Sequence, residues 1–126
     1  MKAAGLPFIR GSLVSGDMGF KTGTFFSPAD LRRLVFPWHK KICDAIRARG
    51  KICILHSCGN LAAVMEDLIA CGYDAKHSFE DAITPSFFDL QRQYGKRLCL
   101  MGGIDVDFLC KADEAALRAR VRKTID

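Results

Sequence analysis

Apolar residues recur along this chain in two alternating rhythms. Leu31, Leu34, Val35, Trp38, Ile42, Ala45 and Ile46 follow the three-and-four spacing of one helix face. Ser27-Pro28-Ala29-Asp30 opens that stretch with a hydroxyl cap, a proline in the first turn and an acid in the third position, and Gly50 closes it. Pro37 lies inside the pattern. It predicts a bend or a division there, because proline removes a backbone donor and crowds the carbonyl of Arg33. The rhythm then changes: "KICIL" is short, β-rich and bounded by the polar turn "SCGN", the mark of a buried strand.

The cycle repeats twice more. Asn60 caps a helix carrying Leu61, Val64, Leu68 and Ile69, closed by Gly72. "YDAKHSF" reads as the next strand. Thr84-Pro85 opens a helix with Phe87, Phe88, Gln91 and Tyr94, closed by Gly95. "RLCLMGG" reads as a further strand, and Asp113 opens a last helix with Leu117, Val121 and Ile125. Ahead of all these, "LPFIRGSLV" reads as a strand leading into "SGDMGF". Strands beginning near residues 51, 74 and 97, about 23 apart and separated by helices, are parallel βα units of an α/β fold. We count four units.

Parallel βα units place chemistry at the carboxyl ends of their strands. The polar residues here gather at those ends. Asp17 follows the first strand, His56 and Cys58 end the second, His77, Glu80 and Asp81 end the third, and Asp105 ends the fourth. Residues two apart on a strand face the same side, so His56 and Cys58 can converge on one point. An imidazole nitrogen and a thiolate sulfur suit a borderline-soft ion such as zinc, and Glu80 on the adjacent strand can add an oxygen. The plain alternative is a loop-bonding histidine beside a packing cysteine. Asp17 and Asp105 are candidate catalytic acids; Asp17 alternatively caps the turn before Gly19, and Asp105 follows two glycines that permit close approach of a ligand. Lys21 and His77 are candidates for substrate contact, with a solvated loop lysine and a core histidine as their bland readings.

Composition narrows the class. The chain has 126 residues, 49% apolar and 26% charged, which suits one domain with a modest core. No apolar run approaches the ~20 residues of a membrane span, and the first residues do not form a secretory signal. The net charge of +5 spreads along helix faces without interleaved aromatics, which argues against nucleic acid and leaves room for an anionic small substrate. Cys43, Cys53, Cys71, Cys99 and Cys110 fall in helical or strand-like apolar patterns, so they read as reduced, packed thiols of a cytoplasmic protein. Phosphate-loop and serine-hydrolase motifs are absent; Phe20 precedes Lys21-Thr22 where a phosphate loop needs glycine.

The segments "GDMGFKTGTFFSPADLRRLVFPWHKKI", "GKICILHSCGNL", "DAKHSFED" and "LMGGIDVDFL" resemble the C-terminal half of the uroporphyrinogen decarboxylase superfamily. Within it they are most similar to the branch of zinc-dependent, corrinoid- and thiol-using methyltransferases. The resemblance implies a (β/α)8 TIM barrel, of which this chain would be a part with about four units. It implies a zinc site in which His56 and Cys58 match the family's His-x-Cys pair and Glu80 falls at the place of a further glutamate. The distant cysteine of that site has no counterpart in residues 1–126. The family's paired acids before the methionine are here Gly16-Asp17, so only Asp17 carries over.

The activity implied is methyl transfer to a thiol, from a corrinoid, carried by a partner protein, or from another donor. Zinc would hold the acceptor sulfur as a thiolate. The alternative within the superfamily is the decarboxylation of uroporphyrinogen, which uses acids and arginines rather than a soft metal. A third reading is an inactive barrel fragment. Four parallel strands alone leave open edges and an uncovered face, so the chain is expected to self-associate or pair with a missing half-barrel, and to be inactive alone.

Overall fold

The computed structural model describes residues 5–80 and 83–125. The chain enters through strand β1 (Gly11–Ser15) and turns through a small antiparallel hairpin, β2 (Gly19–Phe20) and β3 (Gly23–Thr24). A long helical stretch follows in three pieces: α1 (Pro28–Asp30), a π-helical turn (Leu31–Val35) and α2 (Phe36–Arg47). Next come β4 (Ile52–His56), a 3-10 turn (Ala62–Val64) running into α3 (Met65–Cys71), and β5 (Ala75–Phe79). The chain continues through α4 (Phe87–Tyr94), β6 (Cys99–Gly102), α5 (Val106–Lys111) and α6 (Glu114–Ile125). β1, β4, β5 and β6 form one parallel sheet in that order. Four parallel strands alternating with helices are part of an α/β barrel.

Several boundaries follow local chemistry. Ser27 caps α1 by accepting the N–H of Asp30, as its sequence requires. The helical stretch is divided just before Pro37, which stands in the first turn of α2. There its missing N–H is one of the groups no helix can satisfy. Gly72 ends α3 in the left-handed conformation, with φ of 95°. Asn60 accepts the N–H of Ala62 and so opens the 3-10 turn. The start of α4 differs from expectation. Ser86, not Thr84-Pro85, is its cap, because Ser86 and Asp89 satisfy each other's backbone N–H groups in a capping box. The hairpin β2–β3 and the short α5 were not apparent in the sequence, since elements of two and six residues carry too little periodicity to register.

One face of the sheet is packed and the other is not. Cys53 and Leu55 of β4 are fully buried against Cys43 and Ile46 of α2 and Val64, Met65 and Leu68 of the α3 region. Each such aliphatic residue contributes about 1.5–3 kcal/mol of burial. Leu13 and Ile52 lie on the opposite face and remain 60% and 50% exposed. Register places Leu13 beside Ile54, and His56 beside both Ser15 and His77. The side chains of β1, β4 and β5 that point away from the helices therefore form a separate, open surface. Two forked ion pairs clamp the helical side, Arg32 on Asp67 and Arg97 on Glu66. Both lie at the surface, where water and salt screen them, so they orient the helices more than they stabilise them.

The cysteines divide the same way. Cys43, Cys53 and Cys71 are buried free thiols, as their patterns predict. Cys99 and Cys110 are exposed, contrary to that prediction. Cys99 pairs in register with Ala75 on the uncovered face, and an apolar run by itself does not say which face a neighbouring helix will cover.

Candidate metal centre

The open face ends in a cluster of donor atoms at the carboxyl ends of β1, β4 and β5. Gly16 N–H reaches His56 O at 3.0 Å and Ser57 N–H reaches His77 O at 2.8 Å, so the three strand ends are joined just where the ladders stop. Beyond them the loops are tied by side chains. The buried Ser57 hydroxyl accepts the N–H of Met18 at 3.0 Å. The Asp17 carboxylate accepts the N–H of Cys58 at 2.8 Å. Gly59 has φ of +83°, and a Cβ there would sit 2.1 Å from Gly19 O. Only glycine lets the hairpin and the β4 loop close on each other. Asn60 N–H then bonds Phe20 O at 2.7 Å.

This closure brings together Asp17, His56 and Cys58. One ligand atom from each lies within 4.8 Å of the other two. His56 Nε2 is 3.9 Å from Cys58 Sγ and 3.9 Å from Asp17 Oδ1. Ligand atoms sharing one tetrahedral zinc lie about 3.3–3.8 Å apart, given bonds of about 2.0–2.3 Å. The two separations from His56 Nε2 are thus close to those of a shared zinc ion, and the donor types suit it. One nitrogen, one sulfur and one oxygen ligand leave a fourth position open, as catalytic zinc sites do.

Strand β5 braces the cluster. His77 Nδ1 lies 2.7 Å from His56 Nδ1, with the two rings stacked at 4.9 Å. Ser78 Oγ is 3.6 Å from Cys58 Sγ. Lys76 is 1% exposed, and its ammonium donates to Ser57 O at 3.1 Å and Ser78 O at 2.7 Å. It also lies over the Phe79 ring, 3.9 Å from its centroid. Burial lowers the Lys76 pKa to about 8, although the charges of Cys58, Asp17 and Glu80 pull it back up. A buried ammonium thus stands beside the segment that carries Cys58, bonded to the carbonyls of Ser57 and Ser78. Sequence reasoning passed over Lys76. Its signal was a lysine on a strand that lies between two others in the sheet, a place where an unpaired charge is costly.

The remaining candidates sit to one side. Among the described residues the Asp17, His56 and Cys58 group does not include Glu80. Glu80 instead lines a cleft of about 610 Å³ with Lys21, Asp105, Val106, Asp107, Phe108 and Lys111. That volume suits a small molecule. The structure thus divides the sequence-named residues into a donor cluster with His77 behind it and a charged cleft beside it. Asp81 lies outside the described residues.

The uroporphyrinogen decarboxylase (URO-D) family model matches residues 13–126. The chain belongs to the uroporphyrinogen decarboxylase family. No curated protein and no solved structure matches it. The uroporphyrinogen decarboxylase match starts inside β1 and runs through α6, so it takes in the donor cluster and the cleft together. No helix among the described residues is long and apolar enough to cross a membrane.

Proposed function

We propose that this chain carries the metal-binding and acceptor side of a zinc-dependent methyltransferase of the uroporphyrinogen decarboxylase family. The observation that supports the reading is the convergence of Asp17, His56 and Cys58 at the carboxyl ends of adjacent strands. Asp17 offers the third donor of this group, whereas the distant cysteine that the resemblance implies has no counterpart in residues 1–126. Zinc bound there supplies one service: it lowers the pKa of a substrate thiol so that the sulfur stays a thiolate. The protein groups do the rest. His56 presents Nε2, Cys58 presents sulfur, and Asp17 fixes the Cys58 backbone through Oδ1, the oxygen that also faces His56. Lys76 offsets negative charge beside the Cys58 segment. The cleft carrying Lys21, Glu80, Asp105 and Lys111 receives the polar part of the thiol substrate or of the methyl donor, a corrinoid being one such donor.

Zinc content of the protein against its His56→Ala and Cys58→Ser variants tests this. The expected result is stoichiometric zinc in wild type and a loss of at least tenfold in affinity in each variant. Zinc unchanged in both variants would sink the reading.

A second reading, decarboxylation of a polycarboxylate, is favoured by the family's own description and by the two lysines in the cleft. Release of carbon dioxide from uroporphyrinogen by a zinc-free protein would select it.

A further inference from the structure

We infer that His77 is a positioning residue that holds His56 in the one tautomer able to bind metal through Nε2; the inference rests on the zinc reading above. The geometry is specific. His56 and His77 are register partners on β4 and β5, and their Nδ1 atoms are 2.7 Å apart. A contact that short between two neutral imidazoles needs one donor and one acceptor. Two arrangements satisfy it. In one, His56 carries its proton on Nδ1 and donates to His77, which carries its own proton on Nε2. In the other, His77 donates and His56 carries its proton on Nε2.

The surroundings of Nε2 separate the two. A proton on His56 Nε2 would point toward Asp17 Oδ1 at 3.9 Å, too far for a hydrogen bond, and toward Cys58 Sγ at 3.9 Å, a weak acceptor at its limit. The half-buried ring would then hold a poorly satisfied donor. The first arrangement leaves the Nε2–H on His77, whose ring is partly open to water, and directs the His56 Nε2 lone pair toward Cys58 Sγ and Asp17 Oδ1. Metal-binding histidines commonly donate their second ring nitrogen to an acceptor that fixes tautomer and ring orientation. Here the acceptor is a second histidine, supplied by the neighbouring strand. His77 therefore touches the ligand and not the substrate, and "H" at residue 77 belongs to the same device as "HSC" at residues 56 to 58.

Two measurements on the full chain decide it. The first is the two-bond proton–nitrogen correlation pattern of the imidazoles in metal-free wild type. His56 is expected as the Nδ1–H tautomer and His77 as Nε2–H; an Nε2–H pattern for His56 overturns the inference, whether or not the protein takes up metal. The second is a cobalt(II) titration followed by the thiolate charge-transfer band. His77→Phe keeps a ring but no acceptor, and its affinity should fall about 10–100-fold. His77→Asn keeps an acceptor near the Nδ1 position and should stay within about threefold of wild type. Phe within twofold of wild type, or Asn losing as much as Phe, overturns the inference. Wild type that binds no cobalt(II) or zinc removes the zinc reading, and the tautomer pattern still decides the role of His77.

Discussion

Asp17 Oδ1 accepts the backbone N–H of Cys58 at 2.8 Å, and through that one bond the end of β1 sets the position of a cysteine beyond the end of β4. The same carboxylate lies 3.9 Å from His56 Nε2. Asp17 thus has a structural duty and a ligand's geometry, and two substitutions separate them. Asp17→Asn keeps an oxygen acceptor for Cys58 and removes the charge. Asp17→Ala removes both. Stability should be nearly unchanged in Asn and fall by about 1 kcal/mol in Ala. Zinc affinity should fall at least tenfold in both. Denaturant unfolding of the metal-free proteins and competition with a chromophoric chelator measure the two effects; an Asn variant with wild-type zinc affinity would remove Asp17 from the ligand set.

Gly59→Ala should damage the centre from outside it. The left-handed φ of +83° costs a side chain about 1–3 kcal/mol, and the added Cβ would meet Gly19 O at 2.1 Å. The β2–β3 hairpin must then move away from the β4 loop. The expected outcome is lower unfolding stability together with weaker metal binding. A variant as stable as wild type would show that the loop yields easily.

Lys76 gives stability a pH dependence of known sign. Its ordinary pKa is 10.5 and burial lowers it to about 8, so between these values the unfolded chain binds the extra proton. Its contribution is complete above 10.5 and is lost as pH falls through 8. The full span is on the order of 3 kcal/mol. Cys53 and Cys71 act oppositely: burial pushes their thiols up to about 12 and about 11, so their contribution is complete below 9.0 and lost at higher pH. The total curve mixes these effects, and the difference between wild type and Lys76→Met isolates the lysine. That difference should grow in favour of wild type between pH 7 and pH 10. Urea unfolding at several pH values checks it, and a flat difference would contradict the burial of a charged Lys76.

Thiol reactivity should sort by face. Cys99 and Cys110 are exposed, whereas Cys43, Cys53 and Cys71 are buried. Burial also holds all three of the latter above the usual thiol pKa. In the native protein an alkylating reagent at neutral pH should label Cys99 and Cys110 within minutes and leave the buried three intact until unfolding. Cys58 should react when zinc-free and be protected when zinc is added. Mass spectrometry of the labelled peptides reads all six, and equal labelling of Cys58 with and without zinc would count against it as a ligand.

The alternation of helix and strand rhythm, the parallel βα order and the placement of polar residues at strand carboxyl ends could all be read from the chain. They depend on local periodicity, capping groups and glycine stops, which are properties of neighbouring residues. His56 and Cys58 were legible for the same reason, being two apart at the end of one strand, although Cys58 lies just past its last residue. Their partners were not. Asp17 reaches Cys58 across 41 residues, and His77 and Lys76 meet the site from an adjacent strand, at separations that local pattern does not encode. Register decided that His77 stands beside His56. Strand pairing decided that Glu80 falls toward the cleft with Lys21 and Asp105. Helix packing decided that Cys53 is buried while Cys99 is exposed. Sequence fixes what each residue can do over a few neighbours; only the closure of the sheet, by backbone hydrogen bonds between distant segments, fixes which of those abilities meet at one point.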